Sequence, residues 1–200
     1  MSAFEKLSLH EATPILDAAS PRLHGALPPA HATTLLARTL PFLPGWRQVD
    51  LSGDVGGTTV RRSFLYRAGE VVPEDGQAQT LYALRPAITQ ETILPYARFF
   101  FAWARGPHGR FHLVEGPEDL AWVSDMLTAV RREVAAILRP LTLLGRGPGD
   151  TFLLTGCFVL ARSLFLARVA VGPDGVVNLS EETVMLQNLP VRDEALGEWG

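Results

Sequence analysis

Between Tyr96 and Glu115, two strongly apolar runs, YARFFFAWAR and RFHLVE, flank Gly106-Pro107-His108-Gly109. Between strands, a glycine- and proline-bearing link of that length reads as a hairpin turn. With Arg105 set opposite Arg110, Phe99, Phe101 and Trp103 share one face with His112 and Val114, because side chains alternate along a strand. Phe100, Ala102 and Ala104 then share the other face with Phe111 and Leu113. Neither face suits water, so the run calls for a sheet covered on both sides.

The chain has 200 residues, 47% hydrophobic and 20% charged, which suits a single globular domain with a substantial core. A net charge of -3 leaves no excess of cations to release counterions from a polyanion, so nucleic acid is not an expected partner. Cys157 is the one cysteine. It has no internal partner for a disulfide, and no Cys/His cluster has zinc spacing, so neither metal nor cofactor is expected and a reducing, cytoplasmic setting fits. MSAFEKLSLHEATP lacks the features of a signal peptide. The apolar span 152–171 carries Arg162 and Arg168 and reads as strands, not as a membrane helix.

Punctuation orders the elements. Residues 3–19 read as a helix interrupted near Pro14, with residues 1–28 forming a loosely packed arm. Residues 31–40 read as a second helix, and 46–51, 58–67 and 79–85 as strands. Gly116-Pro117-Glu118-Asp119 is a helix start: proline suits the first turn, and the carboxylates complement the positive end of the dipole. That helix is expected to run over 117–139, with Leu120, Val123, Leu127, Val130, Val134 and Ile137 as its buried stripe and Arg131, Arg132 and Glu133 outward. A second hairpin, 158–171 and 176–186, turns at Gly172-Pro173-Asp174-Gly175. Residues 187–200 read as a mobile polar tail. Together these describe one α+β domain: an antiparallel sheet with a central hairpin, a long helix packed on it and a C-terminal β-hairpin.

This order of helix, antiparallel strands, helix and strand pair is loosely similar to type III secretion chaperones, although no motif of those families is present. A helix followed by LPGW and a strand bearing RRSFLYR resembles the opening of pterin carbinolamine dehydratases. That family's histidine-rich motif ending in proline and an aromatic residue is replaced here by PHGRFH, and with it the implied chemistry is lost.

Few residues suggest chemistry. His108 and His112 flank a turn and a strand, where four residues span about 13 Å, too far for a shared metal. Cys157 lies in LLTGCFVL, the setting of an inert buried thiol. Gly145-Arg146-Gly147-Pro148-Gly149-Asp150-Thr151 joins glycine amides to a cation but matches neither phosphate-binding fingerprint, and reads as a connector. Arg98 and Glu115 are placed to meet across the central hairpin, and Arg168 and Glu181 across the C-terminal one.

The reading these residues favour is a non-enzymatic, cytoplasmic, chaperone-like binding or accessory protein. Phe99, Phe101 and Trp103 would be its apolar surface for a protein partner or a second copy. The alternative is an enzyme or small-molecule binder with a pocket between the 96–115 hairpin and the 117–139 helix. There His112 would act as acid/base, Glu115 would orient it, and Arg98, Arg110, Arg146 and Trp103 would hold an anionic ligand.

Overall fold

The computed structural model describes residues 2–106, 109–123 and 128–192. The chain is α+β and divides into two compact units, 1–75 and 76–200. No helix among the described residues is long and apolar enough to cross a membrane.

In the first unit a five-stranded antiparallel meander runs in chain order through β1 (Glu5–Lys6), β2 (Thr33–Thr39), β3 (Arg47–Val55), β4 (Thr58–Arg67) and β5 (Glu70–Pro73). Helix α1 (Leu9–Ala19) opens with a capping box: the Glu11 amide donates to Ser8 Oγ, and the Glu11 carboxylate accepts from the Ser8 amide. The helix continues through Pro14, so it is not interrupted there. Ala12, Ile15, Leu16 and Ala19 on α1, with Leu23 beyond it, pack against Leu35, Ala37, Val49, Leu51, Phe64 and Val71 of the sheet. Residues 9–23 are therefore part of a core and do not form a loose arm. The expected helix over 31–40 is instead a single 3-10 turn followed by β2. Thr33 and Thr34 favour a strand, and Leu35 and Ala37 alternate inward against Leu36 and Arg38.

The second unit overturns the central hairpin. Ile93–Trp103 is a helix, α3, preceded by α2 (Ala78–Ala83) where a strand was expected. A run apolar on every side reads equally as a buried strand or a buried helix, and its eleven residues suit the helix. Aromatic neighbours follow the helical period: Tyr96 and Phe100 have ring centroids 6.2 Å apart, Phe99 and Trp103 5.5 Å. Pro95 sits in the first turn, where no intrahelical N–H is needed. Gly106 and Gly109 still face each other, exchanging backbone hydrogen bonds of 2.8 and 3.1 Å. Only β6 (His112–Val114) follows them as a strand.

β6 pairs with β8 (Phe152–Leu160), as does β7 (Thr142–Arg146); β8 continues to β9 (Ser163–Val171) and β10 (Val177–Leu186). The second hairpin is present with its turn at 172–175, and the 158–171 segment is itself divided between β8 and β9. Neighbouring residues of β8 point to opposite faces. Phe158 meets Phe101 of α3 at 4.6 Å, while Cys157 and Val159 lie with Val134 of helix α4 (Thr128–Ile137) and with Leu138. The turn is pegged from beneath: the buried Tyr96 hydroxyl donates to Gly175 O at 2.6 Å, and burial pushes that phenol up.

The long helix is not continuous from 117. A 3-10 turn covers Pro117–Asp119, after which Trp122 bridges Val191 and Val123 is 52% exposed. Leu127 lies outside the described residues. Leu189 and Val191 are buried beside α4, so residues 187–192 are packed and are no tail; 193–200 lie outside the described residues.

The phase of α4 is testable. Val134 is fully buried and Arg132 is exposed. Val134→Ala is expected to cost about 1.5 to 3 kcal/mol and Arg132→Ala less than about 0.5 kcal/mol. Paired denaturant titrations check this, and a larger loss at Arg132 would put the wrong face of the helix inward.

Candidate functional site

The residues that the sequence singles out fall in the second unit, and most of them hold it together. Phe99, Phe101 and Trp103 are 2, 4 and 2% exposed. They are enclosed on α3 and present no uncovered sheet surface, which corrects the expectation that they form one. Arg98 grips Glu115 with two prongs, Nε to Oε2 at 2.7 Å and Nη2 to Oε1 at 2.8 Å. The pairing is as expected, but it joins a helix to the residue after β6. The Leu141 amide donates to the same carboxylate at 3.2 Å. That hydrogen-bonded carboxylate raises the Arg98 guanidinium above its ordinary value. The fork that would hold an anionic ligand is thus spent on Glu115, a clasp between α3 and the strands.

His112 lies on β6 opposite Val159, with its Nε2 out of contact with solvent; the Nε of Arg110 is likewise enclosed. An acid/base imidazole needs a path for its proton, and this ring nitrogen faces the interior. His108 lies outside the described residues. Arg146 donates to Asp150 at 3.2 Å within its own loop and stacks 4.3 Å above Phe152. Asp119 accepts from the amides of Glu115 and Gly116 at 2.8 and 3.0 Å, a capping role. Arg168 reaches Glu181 at 2.9 Å across the C-terminal hairpin. No group of His, Cys, Asp and Glu suited to a metal occurs among the described residues.

A cluster that the sequence reading missed lies in the first unit, on the sheet face turned away from α1. Register places Lys6, Leu36, Asp50 and Ser63 in one cross-strand row, and Arg38, Gln48 and Leu65 in the next. Partners across a ladder project to the same face, so polar groups from three central strands converge. Arg38 donates through Nε and Nη2 to the single oxygen Oε1 of Gln48, at 2.9 and 2.6 Å. Gln48 turns its amide nitrogen to Ser63 Oγ at 3.3 Å and Asp50 Oδ1 at 3.4 Å, and Ser63 donates to Asp50 at 2.7 Å. The Phe4 ring lies over the guanidinium, 4.4 Å from its carbon to the ring centroid.

The arrangement fixes a half-buried cation between an aromatic face and a neutral acceptor. Burial pulls the Arg38 guanidinium below its ordinary value, opposed by the charge of Asp50. Since Gln48 carries no charge and occupies one edge of the guanidinium, the remaining donors stay aimed from a held position. The Phe4 contact contributes roughly 0.5 to 1 kcal/mol at such a half-exposed site. The available signal was TTLLART read as a strand: Leu35 and Ala37 point into the core, which leaves Arg38 on the opposite face.

Neither family models, nor characterised proteins, nor solved structures give a match to this chain.

Cys157 is fully buried, accepts from the Arg139 amide at 3.2 Å, and has its thiol pushed up by burial. Burial outweighs the Arg139 hydrogen bond, which favours the thiolate, and so suppresses the form that alkylation needs. Iodoacetamide at neutral pH is therefore expected to modify the native chain no faster than it unfolds, followed by intact mass. Stoichiometric labelling within minutes, with the fold intact, would contradict an inert Cys157.

Proposed function

We propose that this chain is a non-enzymatic binding or accessory protein that holds a protein partner, chaperone-like in use and working in the cytoplasm. The recognising surface is moved from the enclosed aromatics of α3 to the Arg38 face of the first sheet. The observation that carries this reading is the Arg38 guanidinium, held by Gln48 and Phe4 with donors to spare. A cation fixed in advance loses little freedom on binding, which favours recognition of an anionic group.

The β5 and β10 edges disfavour self-association by strand pairing. β5 is four residues long and ends in Pro73. β10 carries irregularities between Ser180 and Thr183 and between Val184 and Leu186, with Glu181 and Glu182 at the first of them. Short strands, proline, bulges and charges are the devices that keep an edge from pairing with another chain.

Light scattering after size exclusion, with capture from the source cell, tests the reading. The natural chain is expected to retain a protein that Arg38→Met loses while it stays folded, as followed by circular dichroism. A strictly monomeric chain that retains nothing would overturn the binding reading. Equal retention by the two would move the surface away from Arg38.

A further inference from the structure

We propose that β1 is a replaceable occupant of the β2 edge, and that its site takes an extended segment of a partner protein with an acidic side chain at the place of Phe4. This rests on the reading of the chain as a binding protein and gives the partner its chemistry. β2 pairs with β3 along all seven of its residues, but with β1 only through Leu36 and Ala37. The Leu7 amide adds one bond to Leu35 O at 3.0 Å, and Ser2 Oγ meets Thr39 Oγ1 at 3.0 Å and accepts from the Thr39 amide at 3.1 Å. Glu5 and Lys6 are exposed, and Leu7 packs only at the margin of the core. An extended chain that pairs with more of β2 would gain main-chain hydrogen bonds that β1 does not make.

Identity would be read at Phe4. The pairing of Glu5 with Ala37 sets the preceding residue across from Arg38, and there the Phe4 ring stacks on the guanidinium. A carboxylate in that place would meet the donors that Gln48 leaves unused, in a charge-assisted contact stronger than the ring face offers. Asp50 acts on Arg38 through its charge, but its Oδ1 accepts from Ser63 and Gln48, and it lies on β3, not on the β1 side of Arg38. Charge complementarity at the edge thus selects an acid over a neutral side chain of the same size.

The probes are fluorescein-labelled hexapeptides SAEEKL and SAQEKL, copies of residues 2–7 with glutamate or glutamine in place of Phe4, titrated onto the full chain. SAEEKL is expected to bind about tenfold more tightly, a difference of about 1.4 kcal/mol. The preference is expected to vanish in Arg38→Met; in Phe4→Glu, where β1 brings its own carboxylate to Arg38 and competes harder for the edge, both peptides are expected to bind more weakly, and this second variant keeps the test alive if the first fails to fold. Amides of Glu5 and Leu7, which face β2, are expected to exchange faster in the peptide complex, as β1 leaves. Equal affinities on the natural chain, a preference that persists in Arg38→Met, undiminished affinity in Phe4→Glu, unchanged exchange at Glu5 and Leu7, or no binding at millimolar peptide would each overturn the proposal. A partner lost by Arg38→Met in the capture experiment, together with peptides that show no acid preference, would sink this inference and leave the binding reading standing.

Discussion

The burial of β8 on both faces is the constraint from which the second unit follows. Cys157 and Phe158 are adjacent, point to opposite sides and are both fully buried, so neither side of the strand can be left to water. One cover is α3, whose Phe101 packs on Phe158. The other combines α4 and Leu138 with the return of the chain through Leu189 and Val191. The Arg98–Glu115 clasp, the Tyr96 peg on Gly175 and the capping by Asp119 then fix these covers to the strands and their turns. Side chains with apparent chemical promise are thereby consumed as fastenings.

The first unit solves the burial problem differently. Here α1 covers one face of the sheet, and the other is polar through Lys6, Asp50 and Ser63 beside Arg38 and Gln48 but closes over Leu65, which is fully buried. A polar network on a sheet face is stable when each member has a partner, and Gln48 serves as the adaptor by accepting from Arg38 while donating to Asp50 and Ser63. A glutamate in that place would neutralise the guanidinium. With glutamine the cation is positioned and keeps its charge, and it is on this that the proposed recognition by the first unit rests.

Much of the fold was legible from local signals. β3 alternates as a strand should through Val49 and Leu51, and Gly172-Pro173-Asp174-Gly175 marks the C-terminal turn. The Arg98–Glu115 and Arg168–Glu181 pairs were also legible, the first for the wrong reason, since opposite charges near a shared margin meet whether one bearer is a strand or a helix. The Ile93–Trp103 run was not legible as a helix because a segment apolar on every side has no period to betray it, and the following turn invited a hairpin. Reading 31–40 as a helix hid Arg38, whose significance depends on strand alternation and on partners ten and more residues away. Local propensity reports turns and caps well; it does not report which faces other elements will cover.

Residue-resolved hydrogen exchange, with and without the protein that the chain retains from the cell, tests the central claim most directly. Recognition at Arg38 predicts changes at Glu5, Lys6 and Leu36 to Arg38, with Phe99 to Trp103 slow in both states because their helix is interior. Changes concentrated at Phe99 to Trp103, with β2 untouched, would contradict the account and return the surface to α3.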